Sequence, residues 1–392
     1  MATNSLRGKV AIVGAADTEV GKVPQYGATA LCVEAARRAL DDAGISKDQI
    51  DGLVTCNSMA EPHMYHAEVI AEYLQIFPRY CISVGAGGGT TFSILHHAAS
   101  AIATGMCDTV LISMADSLRT GLSREQAMTL QSSTGHPQFE IPYGATVPAY
   151  YALIACAHRD AYGTTPEQLA AVAVSTRQHA ARNPKAQMRE IISVEDVLSS
   201  RMIADPLHLL DCSLVSDGGA AVILTSAERG TDFPHHPVYV LGVGEGHGHE
   251  HISQARSLTT SAAVESGRRA FEMAGLGPSD IDVAEIYDCF TPAVLIELED
   301  LGFCKKGEAG AFVEAGGTML EGTLPMNTHG GLLSHCHPGN PGSMFALTEA
   351  VIQLRHDAGA RQVKHAEVAL VHGQGGIMSS HATLILGRER DG

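Results

Sequence analysis

The chain is poor in positive charge. Its 26 lysines and arginines face 43 aspartates and glutamates, a formal net charge of −17. Nucleic acid and anionic membrane surfaces call for a basic face, so this balance argues against either as the main partner. An anionic small molecule would need a local basic patch. Long apolar runs are missing as well, and none approaches the roughly 18 residues of a membrane-spanning helix. The opening residues, MATNSLRGKVAIVG, lack the charged-then-apolar layout of a secretory signal, and a soluble cytoplasmic protein is expected. No C-x-x-C occurs among the nine cysteines, an odd number, which argues against both a disulfide framework and a zinc ribbon. Cys32, Cys107 and Cys156 lie in apolar stretches and read as buried, inert thiols.

What the chain does have is length and an internal repeat. At 392 residues with 45% hydrophobic content it exceeds one compact core and suggests two domains or a duplicated one. Shifting it by 231 positions lays the segment 36–51 on 267–282 without a gap, and seven of the sixteen pairs are identical: Arg37, Arg38, Ala39, Ala43, Gly44, Ile50 and Asp51 with Arg268, Arg269, Ala270, Ala274, Gly275, Ile281 and Asp282. A strand containing glycine precedes each copy, VAIVGA at 10–15 and VYVLGV at 238–243. Duplication is the simplest reading. Strands are predicted at 53–55, 110–112 and 221–224 in the first half, and at 283–286, 368–371 and 382–386 in the second. Helices are predicted over 28–43, 92–104 and 343–355 from apolar residues at helical spacing. Between Asp116 and about Pro206 the alternation stops, although Thr165-Pro166-Glu167-Gln168 reads as a helix start. Two similar α/β halves follow, 1–235 with an insertion at about 116–206, and 236–392.

Four segments carry candidate chemistry. The first is NTHGGLLSHCHPGNPG, Asn327 to Gly342, where glycines permit close backbone approach and His337 sits in a loop opening a helix. Its glycine pair followed by His-Pro resembles the GHP region of the thiolase superfamily, where the histidine activates a cysteine or binds a thioester oxygen. The second, Tyr287-Asp288-Cys289-Phe290, ends a predicted strand and resembles the HDCF loop of sterol-carrier-protein-type thiolases, in which the cysteine that Cys289 matches transfers protons. The third, Val371-His372-Gly373-Gln374-Gly375-Gly376, falls where thiolases have a C-terminal Cys-x-Gly loop. There Gly373, Gly375 and Gly376 would turn backbone amides toward a thioester oxygen, and His372, in the cysteine's place, is a candidate acid/base. The fourth is Val84-Gly-Ala-Gly-Gly-Gly-Thr-Thr91, the place of the thiolase nucleophile.

In that fourth segment the resemblance breaks, because counting back from Gly105 puts the nucleophile's position at Gly88. No side chain can attack from there. The resemblance implies the thiolase fold, α/β in five αβαβα layers with a pseudo-twofold axis, and a coenzyme A thioester as substrate. The missing thiol points away from a covalent acyl-enzyme and toward retro-aldol cleavage of a β-hydroxyacyl-CoA. Lipid-transfer-protein aldolases, which shorten steroid side chains, look like this and carry a tyrosine where Tyr287 lies, but have a second tyrosine at the position of His337. An acyltransferase using Cys289 or Cys336, or a non-catalytic acyl-CoA or lipid-binding protein, are the alternatives.

Arg177 and Arg182, with Lys185 and Arg189, form a basic cluster that could bind the phosphates of coenzyme A. His247, His249 and His251 alternate on a loop and read as solvated, so no metal is expected, and no redox nucleotide either. The segment Asp211 to Gly219 reads as structural. The family also implies a dimer through the N-terminal halves and, for relatives lacking the nucleophile, a small partner of OB-fold and zinc-ribbon type.

Overall fold

The computed structural model describes residues 6–390. The first half runs β1 (Val10–Asp17), α1 (Ala28–Ala43), β2 (Gly52–Thr55), α2 (His66–Leu74), β3 (Tyr80–Ser83), α3 (Thr90–Ala103) and β4 (Thr109–Ser117). An excursion follows with α4 (Leu118–Gly121), α5 (Arg124–Ser132), α6 (Val147–Tyr162), α7 (Pro166–Ala180), α8 (Val194–Ser199) and the small hairpin β5 (Met202–Ala204) and β6 (Leu207–His208). The chain then returns to the sheet as β7 (Asp217–Ser226). The second half runs β8 (Val238–His247), α9 (Ala263–Ala274), β9 (Val283–Ile286), α10 (Thr291–Asp300), α11 (Ala309–Glu314), α12 (Gly342–Arg355), β10 (Val368–Gly375) and β11 (Ser380–Gly387).

Nine strands hydrogen-bond in the order β3-β2-β4-β7-β1-β8-β11-β10-β9. The two halves join edge to edge where β1 meets β8 in antiparallel register, Ala11 opposite Tyr239 and Ile12 opposite Val238. Beyond that seam the halves mirror each other. The last strand of each, β7 or β11, runs antiparallel to both of its neighbours, while β2 lies parallel to β4 and β9 parallel to β10. On the outer edge of β9, where the first half has β3, a single bridge from Ala284 to Met326 remains.

Strand residues alternate between faces, and the two faces bury different helices. Ile12, Ile112, Val222 and Leu384 pack with Phe92, Leu95, Met344 and Leu347, which places α3 and α12 on the inner face. Ala11, Val13, Leu111, Ile223 and Ile385 face outward with Leu31, Ala35, Ala270 and Ala274 of α1 and α9. This helix-covered α/β sheet of two mirrored halves is the thiolase fold.

The repeat's identities have physical causes. Gly44 and Gly275 each end a helix in the left-handed region, φ +66° at both, where a side chain would be strained. Arg37 bridges Glu34 and Asp41, and Arg268 bridges Glu265 and Glu272 in the same i−3, i+4 pattern. Asp51 accepts from the amides of Asp108 and Thr109 at the start of β4, and Asp282 accepts from those of Glu367 and Val368 at the start of β10. Glycine in the preceding strand lets helix and sheet touch, since a Cβ on Gly14 would lie 2.7 Å from the Ala39 carbonyl and one on Gly242 2.1 Å from that of Ala270. Among the described residues, no helix is long and apolar enough to cross a membrane.

Candidate active site

Three loops converge at the carboxyl ends of β3, β9 and β10, with the segment 327–341 closing over them. Glycines let them meet. Gly330 and Gly331 both have positive φ, +106° and +57°. A Cβ on Gly331 would lie 2.0 Å from the Asp288 carboxylate, which instead accepts the amides of Leu332 (2.6 Å) and Leu333 (3.3 Å) at the start of a wide π-helical turn, Gly331–His335. The carboxylate locks the Tyr287–Phe290 loop to the turn preceding His337. The Gly85–Gly89 loop touches the end of β10 backbone to backbone, because a Cβ on Gly375 would sit 1.9 Å from the Ala86 carbonyl.

Within this frame the Tyr287 hydroxyl lies 2.9 Å from His337 Nε2, with the rings edge to face at 5.7 Å. The other imidazole nitrogen, Nδ1, lies 2.7 Å from Ser213 Oγ. The His337 amide donates to Ser216 Oγ at 3.0 Å, and the Ser213 amide donates to the Cys289 carbonyl at 2.9 Å. The segment expected to be purely structural thus supplies Ser213 to the histidine and Ser216 to its backbone. Its Asp217 does serve structure, accepting the amides of Val23, Arg119 and Thr120. Nothing in the local sequence singles out Ser213, which lies 124 residues from His337.

Burial sets the protonation states. It lowers the His337 pKa to about 4, so the imidazole is neutral at neutral pH, and it raises the Tyr287 phenol well above its ordinary value, with nearby Cys289 and Asp288 pushing the same way. A neutral phenol and a neutral imidazole therefore share a short hydrogen bond. Tyr287 keeps 8% of its surface accessible.

Gly88 lies against this pair. A Cβ there would come within 2.3 Å of Tyr287 Cζ and 2.4 Å of the Gln374 carbonyl oxygen. The phenol ring fills the space that a side chain at position 88 would need.

Cys289 lies in an adjoining buried cluster. Gln374 Nε2 donates to its sulfur at 3.0 Å and to the Tyr151 hydroxyl at 2.5 Å, and Tyr151 donates to the Gly376 carbonyl at 3.3 Å. The Tyr151 and Phe290 rings stack at 4.3 Å. Burial pushes the Cys289 thiol far up, so it stays protonated. Neither Tyr151, which belongs to the excursion, nor the Gln374 side chain between two glycines stands out in the local sequence.

Two expectations need correction. Arg177 is 4% exposed, and its guanidinium donates to Ser334 Oγ at 2.8 Å and to the Glu190 carbonyl at 3.1 Å. It braces the π-helical turn and has no free face for a phosphate. Arg182 is exposed on the same segment. His372 lies away from Tyr287 and His337: its side chain is fully buried, Nδ1 lies 2.8 Å from Thr383 Oγ1, and Nε2 lies 3.1 Å from His381 Nδ1. Strand alternation explains this, because Gly373 faces Gly88 and Phe92 while its neighbour His372 points to the other face.

Fold and loops together define a thiolase-type site that lacks the nucleophile's side chain. The family model for the thiolase N-terminal domain matches residues 10–228, and the thiolase C-terminal domain-like model matches 244–388. The chain belongs to the thiolase superfamily. It is 37% identical to the steroid side-chain-cleaving aldolase of Thermomonospora curvata, covering 98% of this chain and 99% of that one. It is 36% identical to the 17-hydroxy-3-oxo-4-pregnene-20-carboxyl-CoA lyase of Mycobacterium tuberculosis (97% and 100%), and 35% identical to an acetyl-CoA acetyltransferase of Methanothermobacter thermautotrophicus (97% and 99%). Among solved structures, the Ltp2-ChsH2(DUF35) aldolase superposes with a TM-score of 0.87 at 35% identity, covering 97% of this chain and 98% of the other.

Proposed function

We propose that this protein is an acyl-CoA lyase that cleaves a β-hydroxyacyl-CoA by a retro-aldol reaction, without a covalent acyl-enzyme. The observation that carries the reading is the Tyr287 ring lying where a side chain at Gly88 would be, with its hydroxyl 2.9 Å from His337. Two full-length relatives named as an aldolase and a carboxyl-CoA lyase support it.

The proton path follows from the geometry. With a proton on Nδ1 facing Ser213, the Nε2 lone pair accepts the Tyr287 O–H. The substrate's β-hydroxyl gives its proton to the Tyr287 oxygen as the phenol proton passes to Nε2. The Cα–Cβ bond breaks, its electron pair forms the thioester enolate, and the β-carbon leaves as a ketone or aldehyde. Amides of the glycine loops at 88 and 373–376 would hold the enolate oxygen. Return of the imidazolium proton to Cα, directly or through the Cys289 thiol, completes the shortened acyl-CoA. The substrate class is a CoA thioester with a bulky apolar acyl group, such as a steroid, terpenoid or aromatic side chain. Arg182 remains a candidate for the CoA phosphates. The assembly is proposed to be a homodimer that also takes a small OB-fold, zinc-ribbon-type partner; the Ltp2-ChsH2(DUF35) complex supports a protein partner.

The acetyl-CoA acetyltransferase relative favours a second reading, acyl transfer through a thiol. Burial pushes both candidate thiols, Cys289 and Cys336, far above their ordinary pKa, which disfavours a thiolate. Incubation with a panel of β-hydroxyacyl-CoAs and partner candidates should release a carbonyl product with no mass adduct on the protein. Tyr287→Phe and His337→Ala should each lower kcat by about 10²–10⁴. A stable acyl adduct on a cysteine during turnover, or full activity in both variants, would overturn the lyase reading.

A further inference from the structure

Behind the glycine loop, on the opposite face of the sheet from Gly88, three side chains meet with no solvent contact. His372 and His381 lie diagonally across the β10–β11 hairpin, since His372 pairs with Thr383 and Gln374 with His381. Glu297 comes down on them from α10. Its carboxylate is the anomaly. It is fully buried, and neither oxygen has a hydrogen-bond partner. Its neighbours on α10 are different: Glu299 binds His158 and the Gly307 amide, and Asp300 binds Lys306 and Ser261. An uncompensated carboxylate in this position costs several kcal/mol.

The histidines are set up to supply nitrogen lone pairs. Ser266 Oγ donates to the Ala263 carbonyl and lies 2.9 Å from Thr383 Oγ1, so Thr383 donates to Ser266 and accepts from His372 Nδ1–H. That leaves the His372 Nε2 lone pair directed at His381 Nδ1, 3.1 Å away, and Glu297 Oε1 lies 3.9 Å from the same Nε2. One ligand atom from each of the three side chains falls within a 4.8 Å span. A tetrahedral zinc with bonds of about 2.0–2.1 Å holds its ligand atoms about 3.3 Å apart. The three groups bracket that spacing and need only small side-chain adjustments.

We propose that Glu297, His372 and His381 bind one divalent transition-metal ion, Zn²⁺ in the first instance. The donor set of two imidazoles and one carboxylate suits a borderline cation and not Mg²⁺ or Ca²⁺. The Thr383–Ser266 pair orients His372 as an outer-shell partner orients a ligating histidine. Because the site is sealed, the ion enters as the chain folds. Its work is structural. It ties α10, which follows directly on the Tyr287–Phe290 loop, to the hairpin that carries Gly373, Gly375 and Gly376.

The test is metal content and thermal stability of the full chain, expressed with added Zn²⁺ and dialysed against a weak chelator. The alternating histidines of the surface loop are removed as competitors by His247→Ala and His251→Ala. About one Zn²⁺ per chain is expected to remain. Glu297→Gln and His381→Asn should each retain at least roughly tenfold less, and extraction with a strong chelator should lower the melting temperature of the parent only. A parent that keeps no metal after expression with Zn²⁺, Mn²⁺, Fe²⁺ or Co²⁺ overturns the proposal whether or not the variants fold. So does equal retention in parent and Glu297→Gln.

Discussion

At the scale of residues, the proposed chemistry turns on the exchange between positions 88 and 287, where the Tyr287 ring takes the space of a side chain at Gly88. The sequence alone showed a glycine where relatives of the usual kind carry a thiol, and a tyrosine at the end of β9. It could not show that one fills the space of the other, because that contact spans 199 positions and depends on the fold. Gly88→Cys therefore does not restore a thiolase. Its Cβ would collide with Tyr287 Cζ at 2.3 Å and with the Gln374 carbonyl, so a destabilisation of roughly 1–3 kcal/mol is expected in chemical unfolding. The displaced Tyr287 should cost most of the lyase activity. A Gly88→Cys variant as stable and active as the parent would show that the ring does not occupy that space. The His337 pKa makes a second prediction. With its folded value lowered to about 4 and an unfolded value of about 6.5, the unfolded chain binds more protons between these values. His337 thus contributes stability that is fully present above pH 6.5 and is lost as pH falls toward 4. In the proposed proton path the free enzyme needs a neutral imidazole, so the acid limb of kcat/KM should lie near pH 4. Tyr287 titrates above its ordinary value of about 10, which leaves the profile flat between the limbs. An acid limb near 6.5 would mean that His337 is not enclosed.

At the scale of elements, legibility followed local signals. α1 spans the predicted residues 28–43 because a clear apolar stripe meets a C-terminal glycine. α12 and α7 were readable from periodicity and from the Thr165 cap, whose side chain accepts the Gln168 amide. β5 and β6 were not readable, because two- and three-residue strands leave no period to detect. α6 was missed for a different reason: Tyr150, Tyr151, Ile154 and Ala155 are buried while Leu153 is 54% exposed, which blurs the apolar stripe that marks a helix. The same blurring hides a residue beside the site, because α6 carries Tyr151 to Gln374 and to the cluster around Cys289. His372 illustrates the converse. Its motif position was legible, but the one-residue alternation of β10 turns its side chain to the face opposite Gly88.

At the scale of the whole molecule, the sheet ends at two edges that are treated differently. On the β9 side, Met326 bridges Ala284 and covers the margin. On the β3 side, Tyr80–Ser83 end the sheet with nothing beyond them among the described residues, and an open edge of this kind invites strand pairing. Phe77, just before β3, is 96% exposed, and in and just before α2 Met64 is 89% exposed and Tyr65 and Tyr73 66% each. A hollow of about 550 Å³ lined by Ala71, Ile76, Phe77 and Cys81 adds to the same surface. Scattered exposed apolar residues are ordinary, and the homodimer proposed above would cover these together with the open edge. A second copy of the chain would satisfy both features at once, because an isologous contact sets β3 against its own symmetry mate. Light scattering should therefore give a mass near twice the 41.2 kDa of one chain. Replacing Phe77 and Tyr73 with aspartate should bring that mass down to one chain while the circular dichroism stays unchanged. A parent that is monomeric at micromolar concentration would leave this edge to a different partner and remove the homodimer from the proposed assembly.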